Sequence, residues 1–322
     1  MRVLVTRHLF PEAIEHLQQH VDVQYHDSRD GMTQQELCTA VRDQDAVICP
    51  LTDRMDGSVI AAANKLRLVA NVAVGYDNID LATATAAGVM VTNTPGVLTE
   101  STADLTFALL MATARRLGEA ERFLRRGAWK FWEIDLLAGR DVHGQTLGVL
   151  GMGRIGQAVA RRAQGFGMRV LYHNRSKVEA GVEEALAATY VSMNELLERS
   201  DFITVHVPLD DVTRAVIGAA ELSRMRPGTI LINTARGPVL DTDAVIAALE
   251  SGHLGGVGLD VFDDEPAVDS RLLSFENAVL LPHIGSASTE TRRQMCMLAV
   301  ENVLAHARGD QPPHLVNPAA LA

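Results

Sequence analysis

The chain has 322 residues, about twice the length of a typical single domain, so we expect two domains. Hydrophobic residues make up 47% of it and charged residues 21%, as in globular proteins, and no apolar run reaches the roughly 20 residues that span a bilayer. The net charge of −11 argues against a nucleic-acid partner, because a surface that neutralises phosphates needs an excess of basic residues.

The N-terminus and the cysteines give no sign of export or of a metal. The first six residues, MRVLVT, lead directly into an apolar strand without the pattern of a signal peptide, so we expect a cytoplasmic protein with no membrane partner. Cys38, Cys49 and Cys296 are scattered, and no histidine or further cysteine follows them at ligand spacing. We therefore expect neither a structural metal nor a disulfide framework.

The first hundred residues alternate short apolar runs with helical segments. A capping box begins one helix at Thr33, and Gly88 ends another. The predicted strands are residues 3–6, 21–25, 46–49, 68–72 and 89–92. Strands that alternate with helices predict a parallel sheet covered on both faces.

A second series of strands begins near residue 147. Its members are residues 147–150, 169–173, 202–207, 229–234, 256–261 and 278–281. Residues 101–126 are predicted as one buried helix crossing between the domains, and residues 288–308 as a helix that returns the chain to the first domain before Pro312 stops it. The fold class is therefore α/β, with two doubly wound parallel sheets. A flavodoxin-like substrate domain (1–100 plus 288–322) is interrupted by a Rossmann dinucleotide-binding domain (101–287).

A glycine turn marks the cofactor site. Gly151, Gly153 and Gly156 form a GxGxxG pattern between an apolar strand and a helix, the context in which this otherwise weak pattern is informative. The three glycines permit a tight turn, close approach of the pyrophosphate and close packing of helix on strand. The pyrophosphate would lie at the helix N-terminus, where free N–H groups favour negative charge.

The end of the next strand indicates which dinucleotide binds. NAD enzymes usually place a carboxylate there, but this sequence has Asn174, Arg175, Ser176 and Lys177. A guanidinium can bind the 2′-phosphate of NADP through two hydrogen bonds, whereas a carboxylate would repel it. We therefore expect NADPH as the preferred cofactor, with NADH weaker; an ordinary solvated basic loop is the alternative.

An arginine, a carboxylate and a histidine follow three later strands, at the edge where open α/β sheets bind ligands. They are Arg236, Glu265 and His283. A histidine can protonate the oxygen of a carbonyl that accepts hydride, and a carboxylate on its other nitrogen would orient the ring and raise its pKa. The arginine can pair with a substrate carboxylate and polarise the carbonyl. Each residue could instead be structural: an ion pair, a loop cap and a core histidine.

Over essentially its whole length the chain resembles the D-isomer-specific 2-hydroxyacid dehydrogenase family. The matching segments are residues 71–80, the glycine turn, and residues 233–237, 258–266 and 282–286. The resemblance implies that Arg236 binds and polarises the substrate, that Glu265 partners the histidine, and that His283 is the acid/base. It also implies that backbone N–H groups around Val74 and Gly75 hold the substrate carboxylate. The predicted cofactor contacts are Gly151, Met152, Gly153, Arg154, Ile155, Gly156, Asn174, Arg175, Ser176, Val207, Pro208, Thr234, Ala235, Arg236, Asp260, His283 and Gly285.

Within that family the sequences of residues 72–80, 91–99 and 283–288 are most similar to those of glyoxylate and hydroxypyruvate reductases. Arg175 agrees with the use of NADP by those enzymes. Glu265 argues against formate dehydrogenases, which have glutamine there. Leu136 stands where mammalian glyoxylate reductases have a tryptophan that crosses a dimer interface, so the part of Trp129 and Trp132 stays open between substrate selection and packing.

The function is open between several alternatives. The resemblance implies reduction of glyoxylate or hydroxypyruvate to glycolate or D-glycerate. The same machinery could act on 2-ketogluconate, pyruvate or phenylpyruvate, and a dinucleotide-sensing corepressor is the alternative from another class. The resemblance also implies a homodimer formed through the cofactor domains and helix 101–126, although an ordinary core would give that helix the same apolar face.

Overall fold

The computed structural model describes residues 1–321. The chain forms two compact units, one made of Met1–Leu98 together with the chain from Ser286 onward, the other of Thr99–Gly285. Each is built on one parallel sheet. The α/β fold with two doubly wound parallel sheets that the sequence predicts is thus confirmed.

The first unit contains a five-stranded sheet in the order β2-β1-β3-β4-β5, which is the flavodoxin-like order. Its strands are β1 (Arg2–Val5), β2 (Asp22–Tyr25), β3 (Ala46–Pro50), β4 (Leu68–Val72) and β5 (Met90–Thr92), and its first helices are α1 (Pro11–Gln18), α2 (Gln34–Ala40), α3 (Gly57–Ala62) and α4 (Leu81–Ala86). The predicted capping box at Thr33 is present, since its hydroxyl accepts the N–H of Glu36 and the Glu36 carboxylate accepts that of Thr33. Strand β3 is the centre of this sheet, and both β3 and its neighbour β4 are almost wholly buried.

The second unit contains a seven-stranded sheet in the order β12-β11-β10-β9-β6-β7-β8. Its elements are α5 (Thr99–Ala114), α6 (Leu117–Arg125), β6 (Thr146–Leu150), α7 (Arg154–Gln164), β7 (Arg169–His173), α8 (Ala180–Leu186), β8 (Ala188–Tyr190), α9 (Met193–Arg199), β9 (Phe202–Val205), α10 (Ala219–Arg224), β10 (Thr229–Asn233), α11 (Thr242–Glu250), β11 (Leu254–Leu259) and β12 (Ala278–Leu280). Two hydrophobic clusters cover its two faces. A parallel sheet buried on both faces explains why its strands are continuous apolar runs.

Helix α12 (Thr289–Ala307) closes the first unit, where it packs on α1, β3 and β4. Ser288 caps it by accepting the N–H of Thr291. The predicted return of the chain to the first unit is therefore present.

The single buried helix predicted over residues 101–126 is wrong. The chain breaks after α5, where Arg116 adopts a left-handed φ of 53° and begins the separate helix α6. Helix α5 packs on α7, β10 and β11 within the second unit, while α6 buries no residue and leaves Leu117 and Leu124 exposed. Both helices belong to the second unit, so neither crosses between the units.

Candidate active site

The carboxyl edge of the seven-stranded sheet positions the candidate site. Strands β6 and β9 are neighbours at its centre, and the chain runs from β6 to β7 on one side and from β9 to β10 on the other. A crevice opens at such a point because the connections leave in opposite directions. The glycine turn follows β6 at this edge.

The three glycines of the turn have different surroundings. Gly151 has a φ of +99°, and a Cβ there would lie 2.7 Å from the carbonyl carbon of His206. A Cβ on Gly156 would lie 2.1 Å from the carbonyl oxygen of Gly151, whereas one on Gly153 would meet no atom within 4 Å. The first and third glycines therefore allow close packing, and the second leaves open space.

The beginning of α7 fits a pyrophosphate. Gly153 is its N-cap and no side chain caps the helix, so the first-turn N–H groups of Arg154, Ile155 and Gly156 have no acceptor within residues 1–321. Unsatisfied N–H groups and the helix dipole together favour an anion. The open space at Gly153 lies at the same helix end, which is the cradle that a dinucleotide needs.

Asn174 connects the end of β7 to the glycine turn. Its Oδ1 accepts the N–H of Met152 at 2.6 Å, and its carbonyl accepts the hydroxyl of Tyr190 at 3.2 Å. Arg175, Ser176 and Lys177 follow it and are exposed.

Arg175 is close enough to Asp210 to affect its titration. Hydrogen bonds from Thr213 lower the pKa of Asp210, and the charge of Arg175 adds a smaller contribution in the same direction. Arg175 therefore lies near the loop after β9, which also contains the predicted cofactor contacts Val207 and Pro208. The assignment of these residues to the cofactor stays a prediction.

The candidate acid–base pair is formed. Nδ1 of His283 lies 2.6 Å from Oε2 of Glu265, and the N–H of Phe262 donates to Oε1 of Glu265 at 2.9 Å. Burial would raise the pKa of Glu265, but the hydrogen bond and charge of His283, the hydrogen bond of Phe262 and the charge of Arg236 together lower it. Because an ionised carboxylate only accepts, Nδ1 carries the hydrogen and Nε2 remains for a substrate.

Asp260 holds the loop that presents His283. This buried carboxylate accepts the N–H groups of Ile284 and Gly285, each at 2.7 Å. Burial raises the pKa of Asp260, although these hydrogen bonds oppose it. His283 itself has a left-handed φ of 52°, a conformation uncommon for residues other than glycine. Asp260, predicted as a cofactor contact, thus uses both carboxylate oxygens to fix the loop.

Arg236 lies beside this pair. The amide nitrogen of Asn233 donates to the carbonyl of Arg236 at 2.8 Å, which fixes the loop after β10. A Cβ on Gly237 would lie 2.0 Å from the carbonyl carbon of Phe262, so this loop packs directly on the loop that contains Glu265. The charge of Arg236 contributes to the lowered pKa of Glu265. The structure therefore brings all three predicted catalytic residues together at one edge.

Two threonines and a histidine add to this edge. The hydroxyls of Thr234 and Thr106 lie 2.7 Å apart, which connects the predicted contact Thr234 to α5.

Sequence reasoning missed His206, whose backbone N–H donates to the carbonyl of Leu150 at 2.7 Å. Burial lowers the pKa of His206 to about 3, so the ring is neutral near pH 7. Its position directly after a central strand was the available signal.

The predicted substrate contacts Val74 and Gly75 belong to the first unit. They follow β4 and are half-buried. Arg236 belongs to the second unit. That Val74, Gly75 and Arg236 bind the same substrate stays a prediction.

The part of the chain from residue 1 to 321 contains no group of three or more histidine, cysteine or acidic side chains placed to hold a metal ion. Over the same residues, every helix falls short of the length and apolarity that crossing a membrane requires.

Comparisons with known proteins identify similar chains. Residues 107–285 match the model of the D-isomer specific 2-hydroxyacid dehydrogenase, NAD binding domain. A glyoxylate reductase of Korarchaeum cryptofilum is 49% identical over 318 residues, which cover 98% of this chain and 96% of that protein. A crystal structure of a protein from Thermus thermophilus is 45% identical with a TM-score of 0.92, covering 98% of this chain and 100% of its own.

One further solved structure bears on ligands. An NADPH-dependent glyoxylate/hydroxypyruvate reductase of Sinorhizobium meliloti, in complex with NADP and malonate, is 36% identical with a TM-score of 0.86. The match covers 99% of this chain and 97% of that one.

Proposed function

This chain belongs to the D-isomer specific 2-hydroxyacid dehydrogenase family of NAD(P)-dependent oxidoreductases, and we propose that it is an NADPH-dependent reductase of glyoxylate and hydroxypyruvate. The observation that carries the proposal is the hydrogen bond between His283 and Glu265 with Arg236 beside it. Its products are glycolate and D-glycerate.

Each residue of this group has a part in the proposed reaction. NADPH supplies the hydride when it is bound. His283 holds a proton on Nε2 for the substrate oxygen, because Nδ1 is engaged with Glu265. Glu265 fixes the orientation of the ring and its tautomer. Arg236 attracts the carboxylate of a 2-oxo acid and polarises the neighbouring carbonyl.

The preference for NADPH rests on Arg175. It is exposed and follows Asn174, whose side chain contacts the glycine turn, so its guanidinium can reach a 2′-phosphate beside that turn. The relative from Sinorhizobium meliloti is described as NADPH-dependent. NADH is the weaker donor in this proposal.

The assay that tests the function follows oxidation of NADPH with a panel of 2-oxo acids: glyoxylate, hydroxypyruvate, pyruvate, phenylpyruvate and 2-ketogluconate. We expect the highest kcat/KM with glyoxylate or hydroxypyruvate. A higher kcat/KM with 2-ketogluconate or phenylpyruvate would agree with the proposed reaction but contradict the proposed substrate. Absence of turnover with every acid and with both cofactors would contradict the proposal that the chain reduces 2-oxo acids.

We further propose that the protein is a homodimer that uses an aromatic segment of its second unit. This segment, residues 129–134, exposes Trp129 by 56%, Phe131 by 76%, Trp132 by 74% and Ile134 by 85%. Exposed apolar side chains in such a cluster are typical of a protein interface. Light scattering after gel filtration tests this, with I134D as the disrupting variant; a wild-type mass of one chain, about 35 kDa, would contradict the proposal.

A further inference from the structure

The loop that follows β4 has its carbonyls held one after another. The carbonyl of Ala73 accepts the N–H of Thr94 at 2.9 Å. The carbonyl of Val74 accepts the side-chain amide of Asn93 at 2.8 Å, and that of Gly75 accepts the side-chain amide of Asn71 at 2.8 Å. Since a carbonyl oxygen can only accept, both asparagines must present nitrogen to this loop.

Asn71 belongs to a small buried network. It is wholly buried on β4, and it exchanges hydrogen bonds with the amide of Asn78 at 3.2 and 3.4 Å. Asn78 also donates to the carbonyls of Pro50 and Asp53. The network therefore anchors the loop to the end of β3 as well as to β4.

Holding a carbonyl also fixes the next N–H. In a trans peptide the C=O of one residue and the N–H of the following residue point in opposite directions. Thr94 thereby orients the N–H of Val74, and the side chains of Asn93 and Asn71 orient those of Gly75 and Tyr76.

These three N–H groups have no acceptor within residues 1–321. They belong to consecutive residues of a half-buried to exposed loop, which leaves them accessible to a ligand. Successive backbone N–H groups without acceptors form a concave anion-binding site, and their hydrogen bonds to a carboxylate are charge-assisted.

We propose that Asn93 and Asn71 are positioning residues for carboxylate recognition, and that the N–H of Tyr76 joins those of Val74 and Gly75 in binding it. The inference rests on the proposed function, because it assumes a 2-oxo acid substrate. Neither asparagine touches the substrate; each acts by holding a carbonyl so that the opposite N–H is presented.

N93A is the main test, because Asn93 contributes one side-chain hydrogen bond and is only half-buried. We expect the KM for glyoxylate and the inhibition constant of oxamate, an unreactive carboxylate, to rise about tenfold, the effect of misplacing one charge-assisted hydrogen bond. The KM for NADPH and the rate with glycolaldehyde, which lacks the carboxylate, should stay within about twofold of wild type. N71A should show the same pattern.

N317A is the matched control. Asn317 is also buried in the first unit and holds the backbone of Val91 and Val89, but it does not contact the loop after β4. If the part of Asn93 is purely structural, N93A and N317A should change the kinetic constants alike. Alternatively, N93A should lower the rates with glycolaldehyde and with glyoxylate equally. Either outcome would overturn the inference.

Calorimetric titration of oxamate into wild type and N93A with cofactor present separates this inference from the proposed function. A wild type that binds oxamate but reduces no 2-oxo acid would contradict the proposed function only. Equal oxamate affinity in wild type and N93A would contradict the positioning part of Asn93, whatever the turnover.

Discussion

The Nδ1 atom of His283 lies 2.6 Å from a carboxylate oxygen of Glu265, although the two residues are separated by a strand and two loops. This hydrogen bond selects the tautomer that leaves Nε2 for a substrate. Asp260 accepts the N–H groups of Ile284 and Gly285, so the backbone that follows His283 is fixed as well as the ring. The proposed chemistry therefore depends on this edge of the sheet.

Replacing the histidine should abolish most of the activity. We expect H283A to lower kcat about 10²- to 10⁴-fold, the usual contribution of a positioned acid or base, with little change in the KM for NADPH. Steady-state kinetics with glyoxylate measures both constants. Turnover within a few fold of wild type would show that His283 does not deliver the proton.

E265Q should change how the free energy of unfolding depends on pH. Burial would raise the pKa of Glu265, but the hydrogen bonds of His283 and Phe262 and the charges of His283 and Arg236 together bring it below the ordinary 4.5. A carboxyl whose pKa is lower in the folded state stabilises the protein above its ordinary pKa, and this contribution is lost as the pH falls through the folded value. The advantage of wild type over E265Q should therefore be full above about pH 5 and shrink at lower pH.

Urea denaturation from about pH 3 to pH 7 measures this difference. E184Q is the matched control, because Glu184 is an exposed glutamate of the same unit. An advantage of wild type over E265Q that did not change with pH would exclude the ion pair as its cause.

Two of the turn glycines should respond differently to alanine. In G156A the new Cβ would overlap the carbonyl of Gly151, so we expect a loss of about 1–3 kcal/mol in the free energy of unfolding. In G153A the Cβ meets no atom within 4 Å, so the fold should tolerate it while the KM for NADPH rises. Thermal unfolding and cofactor titration together distinguish the two, and an unchanged KM in G153A would place the pyrophosphate elsewhere.

Arg175 should decide the choice of cofactor. We expect R175A to lower kcat/KM for NADPH about 10- to 100-fold, the effect of losing a charge-assisted contact, while kcat/KM for NADH changes little. R161A is the control, because Arg161 is an exposed arginine of α7 that pairs with Glu100. A parallel fall with both cofactors would mean that Arg175 does not recognise the phosphate.

The alternation of strands and helices was readable because it depends on local patterns. Buried parallel strands are continuous apolar runs, and eleven of the twelve strands were predicted to within two residues at each end. The missing one, β8, is a three-residue edge strand, too short to show a period. The break at Arg116 was also missed, because the residue with the left-handed φ is an arginine and not a glycine.

The sequence by itself determined the two parallel sheets, the glycine turn and the identity of the polar residues at the strand ends, since steric need and hydrophobic pattern act over a few residues. Tertiary structure alone decided that Glu265 bonds Nδ1 of His283, that Asp260 holds the loop beyond it, and that Asn93 and Asn71 hold the loop after β4. Within each unit, these contacts join residues that the order of strands brings to the carboxyl edge of its own sheet. The direction of each hydrogen bond follows from which partner can only accept.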